Sequence, residues 1–147
     1  MVIVAGVEHS KDEHQVVEQA AILADRFEEP LHVVHVMTQL DFVNRQRDRV
    51  DKTGRPIEIE KIKETANNEA RAVADAANVD EFESIGLVGD PGSQIVLYAM
   101  QHDARYIVIG GRRRSGLGGA IFGRPGQKIL RQSDIPVLTV KTERSAA

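Results

Sequence analysis

Cysteine is absent from the 147 residues, and aromatic side chains make up only 4% of them. The first absence excludes disulfides, thiolate zinc sites and cysteine nucleophiles together. The second leaves few platforms on which the bases of a single-stranded nucleic acid could stack. No apolar run approaches the roughly 20 residues that a membrane span needs. Ahead of the first apolar run, Val2 to Val7, stands neither a basic segment nor a cleavage-site pattern, so a cytoplasmic protein is expected. Also missing are a Walker loop, which would end in Gly-Lys-Ser/Thr, and a G-x-G-x-x-G fingerprint after the first strand.

A chain of this length fits one domain, residues 1–147, and buries enough surface to fold without a covalent or metal staple. Its charge is unevenly spread. Residues 1–100 carry 10 Lys and Arg against 19 Asp and Glu, a balance of −9; residues 101–147 carry 9 against 3, a balance of +6. Only the C-terminal third is suited to anions, while the rest repels nucleic acid.

Val2 to Val7 is continuous and β-branched, as a strand covered on both faces should be. Ser10 and Glu13 have the spacing of a capping box for a helix whose apolar face carries Val16, Val17, Ala20, Ala21, Ala24 and Phe27. Leu31 to Met37 is a second strand. Residues 38–56 mix charges without a clear period and read as an exposed excursion. From about Ile57 a helix runs with Ile59, Ile62, Ala66, Ala70, Val73 and Ala77 on one face. Glu83 to Val88 is a third strand. Asp90 and Pro91 then suit the cap and first position of a helix that buries Ile95, Val96, Ala99 and Met100. Tyr106 to Ile109 is a fourth strand, followed by a loop over residues 110–124 and a helix at Gln127 to Gln132. Pro136 to Lys141 is the last strand, and residues 142–147 form a frayed tail. Five strands alternating with four helices predict an α/β fold: one open, mainly parallel sheet with helices on both faces. Ligands of such sheets bind beyond the strands' carboxyl ends, where strand order reverses. That points to three loops, Gly6–Ser10, Val36–Thr38 and Gly110–Arg124.

The densest chemical signal is GGRRRSGLGGAIFGR, residues 110–124. Its glycines let backbone amides approach an anion, the next helix offers its positive dipole end, and four arginines supply forked phosphate donors. The same composition also suits a solvated connecting loop. These residues bear a further pattern. Gly110 and Gly123 occupy the first and third glycines of G-x2-G-x9-G-S/T, within IVIGGRRRSGLGGAIFGRPGQKILRQSDIPVLTV. With VEHS after the first strand, HVVHVM in the second and GDPGSQIV after the third, the chain resembles the universal stress protein family over nearly its whole length.

That resemblance implies a Rossmann-like domain binding ATP or another adenine nucleotide, with Mg2+ only alongside the nucleotide. It implies a site at Glu8, where the family has an aspartate beside the adenine, and at Val36, whose backbone meets the base. Ile109 and Gly110 form the ribose-side edge, while Arg112, Arg113, Gly123 and Arg124 belong to the phosphate side. It also implies a homodimer joined through the last strand. The chain departs from the pattern at three places: Arg113 stands at the second glycine, Arg124 replaces the Ser/Thr hydroxyl, and Pro125 has no N–H to offer. Arg113 is compatible with a new phosphate contact and equally with a plug that excludes ligand.

The remaining candidates are weaker. His9 and His14 do not share a helical face, and His32 and His35 point to opposite sides of a strand. No metal site is expected from them. Ser10 is accounted for by capping, the acidic run Glu58, Glu60, Glu64 and Glu69 by a solvated helix face, and no acid–base pair marks an enzyme. Three readings remain: a stress-related regulatory protein that holds an adenine nucleotide without efficient turnover, a dimeric interaction module with an empty pocket, and a nucleic-acid binder using Arg112 to Arg114. The acidic majority of the chain disfavours the third.

Overall fold

The computed structural model describes residues 1–8, 13–113, 120–121 and 123–142. Five strands run parallel in the order β3 (Glu83–Val88), β2 (Leu31–Met37), β1 (Val2–Gly6), β4 (Ala104–Arg113) and β6 (Val137–Thr142). A two-residue strand, β5 (Ala120–Ile121), pairs antiparallel with β4. Successive strand residues face opposite sides of the sheet, and this alternation divides the core in two. Ile3, Ala5, Val33 and Val108 pack against α1 (His14–Phe27) and α3 (Ile59–Ala76). Val4, Val34, Val36, Ile107 and Ile109 pack against α4 (Pro91–Gln101) and α5 (Arg124–Gln132). His32 and His35 obey the same rule: one meets Tyr98 on α4, the other Glu69 on α3.

The expected α/β sheet is present, with differences in detail. Residues 38–56 contain a helix, α2 (Gln39–Thr53), with none of its residues buried. Thr38 caps it by accepting from the Asp41 amide at 3.2 Å, and Gly54 ends it at φ +75°. Its charges are intermixed because only Phe42 reaches a core cluster, so helical periodicity has no apolar face to reveal it. Asp90 does cap α4, accepting from the Ser93 amide at 3.0 Å. On α4 Met100 is exposed, and Tyr98 takes the buried position because its hydroxyl meets His32 at 2.7 Å. Phe27 is also exposed, under the Arg105 guanidinium at 4.4 Å from its ring centre. Ser10 lies outside the described residues; α1 begins at His14, and Glu13 at its N-cap makes no capping hydrogen bond with its side chain.

The fourth strand does not stop at Ile109. Pairing of Gly110, Gly111 and Arg112 with Val140, Lys141 and Thr142 carries β4 on, so Gly110 is a strand residue and not part of a loop. The same pairing places Thr142 in β6, buried, where a frayed tail was expected.

Helices approach this sheet closely enough to require missing side chains. A Cβ on Gly86 would stand 2.2 Å from the Lys63 carbonyl oxygen and 2.3 Å from the Asn67 nitrogen, both α3 backbone atoms. Neither can yield without lifting α3 from β3. Gly86→Ala should therefore cost about 1–3 kcal/mol or more, measured as a lowered urea midpoint. A midpoint unchanged from the natural chain would contradict this packing.

Candidate functional site

Strand order reverses between β1 and β4: the chain moves outward through β2 and β3, then returns to the other side of β1. A cavity of about 260 Å³ opens there, at the carboxyl ends of the strands. Five of the residues proposed from sequence line it: Glu8, Val36, Ile109, Gly110 and Gly123. Arg124 is the first residue of α5, exposed and outside the lining. Arg112 and Arg113 are in β4, opposite Ile121 and Ala120; most of the residues that follow, 114–119, lie outside the described residues.

The β5 pairing has a geometric consequence. One edge of β4 is taken by β6 as far as Arg112, and the other by β1 as far as Val108. Since Arg112 pairs with both Thr142 and Ile121, β5 must use the edge that β1 uses. It therefore lies in the lane of β1, beyond the point where β1 ends.

Each wall of the cavity has its own local support. His35 lines it from β2, placing Nδ1 3.0 Å from the Val7 carbonyl and Nε2 2.6 Å from Glu69. A carbonyl only accepts, so Nδ1 donates and ties the end of β1 to β2 and α3. On the α1 side Glu13 is buried and lines the cavity. A Cβ on Gly110 would come within 2.7 Å of Glu13 Oε2 and 3.0 Å of Val16 Cγ2. A side chain at Gly110 would thus press on α1 side chains and on Thr142, a packing reason for glycine that is independent of any anion. Sequence reasoning passed over Glu13 and His35, because one read as a helix cap and the other as an isolated strand histidine.

The opposite wall comes from α4 and α5. A Cβ on Gly92 would lie 2.9 Å from Lys128 Cβ, so the two helices touch at their first turns. Lys128 Nζ also meets Asp90 Oδ2 at 2.9 Å, joining α5 to the turn that bears Pro91. Pro91, Pro125 and Gly126 complete that side of the cavity. Gly123 caps α5, and Pro125 removes one N–H from its first turn. By contrast, among the described residues a Cβ on Gly123 would meet nothing closer than Pro125 Cδ at 3.6 Å.

Two other features lie away from this cavity. An open groove of about 690 Å³ at the far end of the sheet is rimmed by Asp25, Glu28, Glu29, Asp80, Glu81 and Glu83. Beside it His32 is held below its usual pKa by burial, and Tyr98 is pushed up to about 12 by burial and then by Glu83. Among the described residues no group of three or more acidic or imidazole side chains could hold a metal. Nor is any described helix long and apolar enough to cross a membrane.

A model of the Universal stress protein family matches residues 1–141. The stress response protein NhaX of Bacillus subtilis (strain 168) is 40% identical over 73 residues, which are 50% of this chain and 43% of that protein. The chain thus spans less than half the length of this curated relative. A universal stress protein from Archaeoglobus fulgidus is 27% identical, with a TM-score of 0.63 over 96% of this chain and 98% of that one. Another universal stress protein, solved in complex with cAMP, shares the fold at 21% identity and a TM-score of 0.64, over 97% of each chain.

The Asp90–Lys128 contact makes a measurable contribution at one wall of the cavity. Lys128 first, and the Ser93 amide second, hold the Asp90 carboxyl at about 2 against an ordinary 3.8. A carboxyl depressed on folding stabilises the native state fully above the unfolded value and loses that effect as pH falls through the folded one. Asp90→Asn keeps the cap but removes the ion pair. It should lower stability at pH 7 by less than about 1 kcal/mol, because the pair is exposed and screened. The difference from the natural chain should narrow between pH 4 and 2 in urea melts, and a gap that widens there would rule the account out.

Proposed function

The chain belongs to the universal stress protein family, and on that premise we propose that it holds ATP or another adenine nucleotide in this cavity, as a regulatory protein without efficient turnover. The observation that carries the reading is convergence. Glu8, Val36, Ile109, Gly110 and Gly123 come from three separate loops and strands, yet they line one cavity at the strand-order reversal. Mg2+ enters this reading only with the nucleotide. The cAMP complex of a protein sharing this fold sets the ligand class to try first. A role in stress response follows the family and the name of the Bacillus subtilis relative.

A second reading, a dimeric interaction module whose pocket is closed to nucleotide, is favoured by β5. Its place in the lane of β1 and the missing N–H of Pro125 both reduce the room and the donors for phosphate. Calorimetric titration with ATP, ADP and AMP separates the two readings. The nucleotide reading expects saturable heat in the micromolar range, abolished in Gly123→Val with little change in melting temperature, because among the described residues only Pro125 Cδ, at 3.6 Å, comes near a Cβ there. No heat from the natural chain would favour the closed pocket.

Assembly is proposed through β6, which pairs on one side with β4 and leaves Leu138 and Thr139 exposed. Such an edge invites a partner strand, and a second copy pairing antiparallel across a two-fold axis uses the same patch twice. The amide of Ile107 donates to the Pro136 carbonyl. The parallel pattern then turns the amides of Leu138 and Val140 toward β4 and those of Thr139 and Lys141 outward. Thr139→Pro should yield a folded monomer, whereas Leu138→Pro should damage the domain itself. Light scattering that finds the natural chain monomeric well above micromolar concentration would refute this assembly.

A further inference from the structure

We infer that His35 is a positioning residue: its ring takes the Val7 carbonyl that would otherwise accept from the Val36 amide, and so keeps that amide open to a ligand in the cavity. This rests on the nucleotide reading above and deepens it, since Val36 is the residue expected to meet the base. The backbone pattern between β1 and β2 locates the missing bond. The Ile3 amide donates to the Pro30 carbonyl at 2.9 Å, and the Val7 amide to the Val34 carbonyl at 2.9 Å. Each such bond of a parallel ladder is answered, two residues on, by one in the other direction. The next in line therefore runs from the Val36 amide to the Val7 carbonyl. Among the described residues that bond is not made, and pairing stops at Gly6 and Val34.

What the Val7 carbonyl meets instead is His35 Nδ1, at 3.0 Å. His35 precedes Val36 on β2, but its side chain stands out of the sheet, toward α3, where Glu69 Oε2 lies 2.6 Å from Nε2. Both ring nitrogens are thus engaged, which fixes the orientation of the ring. A carbonyl drawn to that ring leaves the plane of the ladder. β1 ends there, and the lane beyond it opens as the cavity, whose lining includes Val7, His35 and Val36. Val36 is only 5% exposed. A buried amide deprived of its ladder acceptor costs free energy until another is supplied, and an acceptor nitrogen of an entering base supplies one.

The test is amide hydrogen exchange of the ligand-free chain, resolved by NMR, with calorimetric titration of AMP and ATP into the same variants. In the natural chain the Val36 amide should exchange at least about tenfold faster than the Val34 amide, which lies within the paired register. His35→Leu removes the donor, while Glu69 keeps Arg45 at 3.8 Å. Val36 should then become protected, and nucleotide affinity should fall at least about tenfold. A gain of protection is not an effect of simple destabilisation. In His35→Asn the side-chain amide stands where Nδ1 stood, so exchange and affinity should stay as in the natural chain. His35→Gln, whose amide stands nearer the place of Nε2, should behave like His35→Leu. If His35→Leu does not fold, the natural chain and the contrast between the other two variants decide. A protected Val36 amide in the natural chain, fast exchange surviving in His35→Gln, or undiminished nucleotide binding in the variants that lack the donor overturns the inference. Should neither nucleotide bind the natural chain, the nucleotide reading fails, whereas the exchange results still decide the role of His35.

Discussion

β4 outruns β1, and the crevice is the space left by that difference in length. β1 pairs with β4 only as far as Val108, while β4 continues to Arg113 because β6 supports its other edge through Thr142. Had the two strands ended together, Glu8, Gly110 and Gly123 would have no recess to share. The same central strand supplies Ile107, Val108 and Ile109 to both cores. It cannot shift to enlarge the site without disturbing two layers of packing. The recess is therefore pre-formed, and its size is set by the sheet.

Around this rigid floor, polar contacts fix the rim. His35 holds the Val7 carbonyl from one side, and the Asp90–Lys128 pair holds the first turn of α5 from the other. The Asp90–Lys128 pair is worth little in isolation, since exposed pairs contribute little, and the His35 hydrogen bond is part-buried. Their effect is positional: each joins two elements whose ends face the cavity. Among the described residues two carboxylates, Glu8 and Glu13, line the recess, while the C-terminal third of the chain is basic in sequence.

Much of the fold was legible because buried strands and amphipathic helices leave strong periodic signals. The helix capped by Asp90, the apolar face from Ile62 to Ala77 and the five parallel strands follow from such signals. Tertiary context decided what was not legible. α2 has no buried face, so its sequence carries no period. The extension of β4 through two glycines depends on β6, thirty residues further along. Glycine itself is ambiguous in sequence: Gly110 was read as leaving room for an anion, whereas the structure shows α1 packed against it. Glu13 was hidden for a similar reason, since its three-residue offset from Ser10 already suited a helix cap.

The attachment of α2 has a consequence for how the domain can change. Gln46 makes two hydrogen bonds to Ile57, donating to its carbonyl at 2.9 Å and accepting from its amide at 2.6 Å; with Phe42 and Arg45 this is most of what secures the helix. No core residue lies between Thr38 and Ile57. Opening this segment exposes little apolar surface, so it is a low-energy sub-global unit that can come and go while the sheet persists. Insertions, deletions or a different helix are absorbed there at small thermodynamic cost. Because Thr38 also borders the cavity, sequence change in α2 gives the family a route to alter what stands at the pocket mouth without redesigning the core.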